Sequence, residues 1–233
     1  MVLALRPNFL KRRWNARLRA LAGYGAIAVL FNLVIAIGSS GNEALAAEKR
    51  LLLLGDSLTA GYGLAPGQGF APQLERALRG AGHSEVAVIN AGVSGDTSAG
   101  GLARLDWSLA DNPTHAVLEL GANDALRGLD PAAMERNLDA IISGLKQAGA
   151  QVLLTGMRAP ANLGPEYKSA FEGAYERLAE KHEVLLYPFF LDGLVGKREL
   201  IQGDGLHPNV DGVAVIVRRI LPFVEALLSK ASP

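Results

Sequence analysis

A chain of 233 residues that is 49% hydrophobic and 20% charged is long enough for one domain with a full core and too apolar to stay disordered. It has no cysteine, which excludes disulfides, thiolate catalysis and thiolate metal sites. Its 23 basic and 23 acidic side chains cancel, yet six bases (Arg6, Lys11, Arg12, Arg13, Arg17 and Arg19) crowd the first 19 residues; without them and Glu43, 17 bases face 22 acids, and a domain of net charge −5 lacks the basic face that nucleic acid needs.

In chain order, the basic stretch is followed by an apolar run from about Ala20 to Ile37, then Gly38-Ser39-Ser40-Gly41 and Ala44-Leu45-Ala46. A basic start, an apolar centre and a small-x-small site are the parts of a secretory signal peptide. Residues 1–46 are therefore expected to be an export signal cleaved after Ala46 or Ala47, leaving residues 47–233 as a periplasmic or secreted domain. Roughly 18 apolar residues approach the length of a membrane span, so the alternative is a retained inner-membrane anchor. Asn32 and the glycines within the run favour cleavage.

From Lys49 onward, short apolar runs alternate with longer segments of helical period. Leu51–Leu54, Val86–Ile89, Ala116–Leu120, Val152–Thr155 and Val184–Tyr187 each read as a short, fully buried strand. Between them, Met134, Leu138, Ile141, Ile142 and Leu145 recur at three- and four-residue intervals, as do Phe171, Tyr175, Leu178 and Ala179. A last helix is expected from about Val210 to Leu228, with Val213, Ile216, Val217, Ile220 and Leu221 facing inward. Parallel strands joined by crossover helices give an α/β fold, a three-layer α/β/α sandwich around a five-stranded sheet. In such sheets ligands bind beyond the carboxyl ends of the strands, so reactive residues are expected just after a strand.

Four loops meet that expectation. The first strand runs into Gly55-Asp56-Ser57-Leu58, which puts a serine hydroxyl in a strand-to-helix turn; alone, Ser57 is as readily a helix cap. After the second strand comes Ser94-Gly95-Asp96-Thr97-Ser98, and after the third Gly121-Ala122-Asn123-Asp124. A glycine-loop N–H and an asparagine amide are suitable donors for a tetrahedral oxyanion, although each loop alone is an ordinary turn. Before the last helix lies Asp204-Gly205-Leu206-His207-Pro208-Asn209. A serine is a weak nucleophile until a base takes its proton, and a carboxylate steadies that base. Asp204 and His207 are close enough to share one loop turn, and Pro208 fits the first turn of the following helix. His83, His115 and His182 have no acid three residues before them.

These four ordered blocks resemble those of the GDSL or SGNH hydrolases, a similarity running from about Lys49 to Leu228, and most closely the bacterial periplasmic arylesterase, acyl-CoA thioesterase I and lysophospholipase L1 group. The resemblance implies a flavodoxin-like sheet and a serine ester hydrolase acting on small acyl or aryl esters, with Ser57 as nucleophile, His207 as base and Asp204 as orienting acid. It also implies an oxyanion hole made by the N–H groups of Ser57 and Gly95 and the side chain of Asn123, with Gly92 as the neighbouring alternative, and neither metal nor organic cofactor. The segment Arg158–Tyr167 is similar to the family's acyl-side loop without matching it residue for residue. Tyr62 and Leu64 are candidates to line an acyl groove; Phe189 and Phe190 are better read as core. Lysophospholipids, thioesters and acetylated sugars are the alternative substrates. A catalytically dead binding module is a further alternative, opposed by the presence of all four polar side chains.

Overall fold

The computed structural model describes residues 49–230, so the expected export segment lies outside them. The five apolar runs become β1 (Lys49–Gly55), β2 (Val86–Gly92), β3 (His115–Glu119), β4 (Gln151–Thr155) and β5 (Leu185–Tyr187). They form one sheet in the order β2-β1-β3-β4-β5 with every neighbouring pair parallel. After β2 the chain crosses back over β1 to place β3 on its other side, so the two halves diverge between β1 and β3. That point of divergence is where a ligand crevice opens in this topology.

Eight α-helices lie among the described residues: α1 (Ser57–Ala60), α2 (Phe70–Gly80), α3 (Ser98–Ala103), α4 (Leu105–Leu109), α5 (Ala122–Leu126), α6 (Pro131–Gln147), α7 (Pro165–His182) and α8 (Val210–Leu228). Helices α2 and α8 pack together on one face of the sheet, and α3, α4, α6 and α7 on the other. The core meets in the middle of this sandwich: Leu51 to Leu54 are buried on both faces, as are Ala116 to Leu118 and Val152 to Leu154. The residues at three- and four-residue spacing on α6 are all buried, and the helix starts where Asp130 Oδ1 accepts from the Ala132 N–H at 3.0 Å with Pro131 in the first turn.

Three expectations need correction. Only β1, β3 and β4 are buried as continuous runs; β2 and β5 are the sheet edges, and Val88, Ile89, Leu185 and Leu186 remain partly exposed because no strand covers their outer side. Pro208 precedes the last helix rather than entering it: Asn209 is the cap, its Oδ1 accepting from the Gly212 N–H at 3.0 Å, and Pro208 pairs in an isolated bridge with Ile201. Leu221 is only partly buried, and Val224, Leu227 and Leu228 extend the inward face instead. Among the described residues no helix is long and apolar enough to cross a membrane.

Candidate active site

β1 delivers the chain into Asp56 and Ser57 at the crevice. Asp56 caps α1, its Oδ1 accepting from the Leu58 N–H at 3.0 Å, and the one-turn helix ends at Gly61, whose φ of +82° is left-handed. Gly92 at the end of β2 lies beneath this helix; a Cβ there would sit 2.3 Å from Ala60 N, so a bare Cα is what lets α1 settle against the sheet. Ser57 is thereby held at the wall of the crevice with its side chain half-buried.

The loop before α8 brings the partner groups. Asp204 Oδ1 accepts from the N–H groups of Leu206 at 2.9 Å and His207 at 3.1 Å, which closes a tight turn. The other oxygen, Oδ2, lies 2.6 Å from His207 Nδ1, and His207 Nε2 lies 2.8 Å from Ser57 Oγ. Those hydrogen bonds hold the Asp204 carboxyl down to about 2, so it is a carboxylate across the neutral range and the proton on the ring belongs to Nδ1. Gln202 braces the loop by donating to the Tyr62 and Pro208 carbonyls, and the Tyr62 ring stands 4.7 Å from the imidazole.

Two further loops face the same point. The backbone N–H groups of Ser57 and Gly95 have no acceptor among the described residues, and both residues line the crevice with Asn123. Gly95 has φ +87°, and its carbonyl accepts from Arg127 at 2.8 Å. Gly92 is not on the crevice wall and its N–H already donates to Asn90 Oδ1, so the structure separates it from this cluster. The loop carrying Gly95 is fastened to the Asn123 loop by Asp124, which accepts from the Ser98 N–H at 2.8 Å and the Ser98 hydroxyl at 2.6 Å, and to β1 by Arg104, which bridges Asp96 and the Gly55 carbonyl. Sequence reasoning missed these fasteners. Their one signal was position, since Asp96, Ser98 and Asp124 fall inside the matched blocks.

The crevice encloses about 470 Å³ and its wall is largely aliphatic, with Leu126, Met157, Pro160, Leu191 and Leu206 around the serine. An adjoining hollow of about 650 Å³ shares Phe189, Leu191 and Leu206 and extends toward Lys197 and Arg198. The two phenylalanines part company: Phe190 is core, while Phe189 lines the crevice beneath the Arg158 guanidinium, 4.4 Å from its ring centre. Tyr62 lines the crevice too, whereas Leu64 packs on the core. The other histidines serve elsewhere: His182 contacts Asp139, His115 is buried by Thr114, and His83 contacts Glu85 and Glu225.

Two buried carboxyls, Asp56 and Glu119, lie beneath Ser57. Desolvation pushes Asp56 up to about 6, against opposing hydrogen bonds from Leu58 and Asn123, and desolvation with the Asp56 charge raises Glu119 well above the ordinary glutamate value. For both groups the folded state binds a proton more tightly than the unfolded chain. Where the unfolded chain has ionised and the fold has not, the unfolded state carries fewer protons, so stability falls as pH rises above the usual carboxyl value of 4.5. Glu119→Gln removes one of the two raised carboxyls. Its Tm is expected to decline less from pH 5 to 8 than that of the parent, and parallel curves would disprove the assignment.

The model of the GDSL-like Lipase/Acylhydrolase family matches residues 53–215. Esterase TesA of Pseudomonas aeruginosa is 41% identical over 184 residues, covering 78% of this chain and 91% of the relative. Thioesterase 1/protease 1/lysophospholipase L1 of Escherichia coli K12 is 43% identical over 188 residues, covering 80% and 88%. The crystal structure of TesA superposes with a TM-score of 0.73 at 40% identity, covering 77% of this chain and 99% of that one. On the family match, the level of identity and the shared parallel sheet, the chain belongs to the GDSL-like lipase/acylhydrolase family and is an ester hydrolase of that family.

Proposed function

We propose that this enzyme hydrolyses small acyl and aryl esters through a Ser57–His207–Asp204 triad. The observation that carries this reading is the unbroken line from Asp204 Oδ2 to His207 at 2.6 Å and on to Ser57 Oγ at 2.8 Å, ending at an apolar crevice. His207 Nε2 takes the hydroxyl proton as Ser57 Oγ attacks the acyl carbon, and Asp204 steadies the imidazolium. The oxyanion is met by the free N–H groups of Ser57 and Gly95 and by the Asn123 amide. His207 returns the proton to the departing alcohol or phenol. Water then attacks the acyl-enzyme by the same route, releasing the acid and restoring Ser57.

The aliphatic lining suits an acyl chain better than a sugar ring, which supports acyl esters and lysophospholipids over acetylated sugars. Thioesters use the same groups, because only the leaving atom differs. Residues 1–46 are an export signal in this reading, and the enzyme acts in the periplasm or outside the cell, where small ester substrates rather than nucleic acid are its partners.

Diethyl p-nitrophenyl phosphate tests the nucleophile. Attack by Ser57 Oγ on phosphorus expels p-nitrophenolate and leaves a diethylphosphoryl ester on that oxygen. The expected result is one equivalent of nitrophenolate and an adduct on the Ser57 peptide by mass spectrometry. Labelling at another residue, or no labelling of the folded enzyme, would overturn the assignment.

A further inference from the structure

Beneath the nucleophile lies a polar cluster that the reaction steps above do not use. Asp56 and Glu119 are both fully buried, and the Glu119 carboxyl has that of Asp56 as a hydrogen-bonding neighbour. Glu119 Oε2 accepts from the Thr59 hydroxyl at 2.8 Å and the Asp56 N–H at 3.3 Å, while Oε1 is buried with no donor in reach. A carboxylate oxygen left without a donor in the interior is costly. A protonated Glu119 instead has an acceptor, the Asp56 carboxyl beside it. Two carboxyls in contact do not both ionise, so the pair holds one proton between them.

The position of that proton follows from what each acid meets. Asp56 accepts from the Leu58 N–H through Oδ1 and from Asn123 Nδ2 through Oδ2 at 3.0 Å, whereas only one Glu119 oxygen accepts anything. Other groups around the pair are His207 from the C-terminal loop, Asp124 beside Asn123, and Tyr175 from α7, whose hydroxyl donates to the Leu120 carbonyl. Arg104 is committed to Asp96 and the Gly55 carbonyl. The negative charge therefore belongs on Asp56, beside the imidazole that becomes cationic during turnover.

We propose that Glu119 is a positioning residue: held as a neutral acid, it keeps the single charge of the buried pair on Asp56, which fixes the Asn123 amide nitrogen toward the reacting oxygen. Both hydrogens of Asn123 Nδ2 are engaged at rest, one by Asp56 Oδ2 and the other by the Asp96 carbonyl at 2.9 Å. A bond to a carboxylate is roughly twice as strong as one to a neutral carbonyl. When an oxyanion forms, the Asp96 carbonyl is the acceptor that yields, and Asp56 remains the pivot. This inference rests on the proposed role of Asn123 and concerns what aims it.

The test combines infrared spectroscopy with a double-mutant cycle on the purified enzyme. At neutral pH the parent is expected to show a carboxylic-acid C=O absorption that Glu119→Gln lacks; identical spectra would overturn the proposal even if other variants failed to fold. Glu119→Leu, which removes the donor, is expected to lower kcat for p-nitrophenyl butyrate about tenfold, and Glu119→Gln to recover most of that loss. Asp56→Asn is expected to lower kcat about 10²-fold with KM little changed. The Leu58 N–H pins the new carbonyl oxygen, so the new NH2 group opposes that of Asn123. Asn123→Ala is expected to cost about 10²- to 10³-fold in kcat, and adding Asp56→Asn to it to cost little more. An equal penalty for Asp56→Asn in both backgrounds would overturn the positioning role and leave Asn123 as an oxyanion donor. An Asn123→Ala enzyme within twofold of the parent would instead remove Asn123 from the reaction and the proposal with it.

Discussion

Ser57→Ala is expected to reduce kcat for p-nitrophenyl esters by at least about 10⁴-fold, leaving only the rate that the oxyanion donors and substrate binding supply. The size of the effect follows from what alanine removes. Without Oγ there is no acyl-enzyme, and His207 has no proton to take in the first step. The fold has little to lose, because Ser57 lies in a one-turn helix whose cap belongs to Asp56 and whose seat belongs to Gly92. The measurement is a series of esters from acetyl to palmitoyl, parent against mutant, with Tm as the control for folding. Equal rates at equal Tm would remove the serine mechanism. A length optimum in the parent would show how much of the 470 Å³ crevice an acyl chain fills.

Asp204→Asn is expected to lower kcat by about 10³- to 10⁴-fold with the geometry intact. Its Oδ1 position is pinned as an acceptor by two backbone N–H groups, from Leu206 and His207. Asparagine must therefore place its oxygen there and its NH2 group against His207 Nδ1. The ring responds by moving its proton to Nε2, where it faces Ser57 Oγ and can accept nothing. Asp204→Ala, which leaves Nδ1 to water, is expected to be less damaging than the isosteric change. The reverse order, or a loss below tenfold for Asp204→Asn, would show that the carboxylate does not set the tautomer.

The sheet was legible because its central strands are apolar without interruption, and α6, α7 and α8 because their inward residues keep a helical period. Helix α2 was harder to see. Phe70, Leu74 and Leu78 carry its buried stripe, but Gly61, Gly63, Gly67 and Gly69 crowd its approach and Pro72 looks like a breaker. Proline is harmless there because it falls in the first turn, where no backbone donor is needed. Edge and centre were not separable for β2 and β5, since strand order depends on how the chain crosses the sheet and not on any one run. At the site, Ser57, Gly95, Asn123 and His207 were readable from their blocks, whereas the apolar wall was not: Phe189, read as core, lines the crevice, and Leu64 packs on the core. The buried acids were not: Glu119 ends an apolar strand, Asp56 passes as part of a Gly-Asp-Ser-Leu turn, and only the fold reveals that they touch.

The bond from His207 to Ser57 joins residues 150 positions apart, one preceding the last helix and the other following the first strand of the sheet. Contacts of such long range form late, after the entropy of closing the intervening chain has been met. Secondary structure returns early on refolding, but hydrolytic competence is expected only when α8 docks and carries its preceding loop onto the crevice. A partly folded chain is therefore inert toward esters, and regained turnover serves as a clock for the final step of assembly.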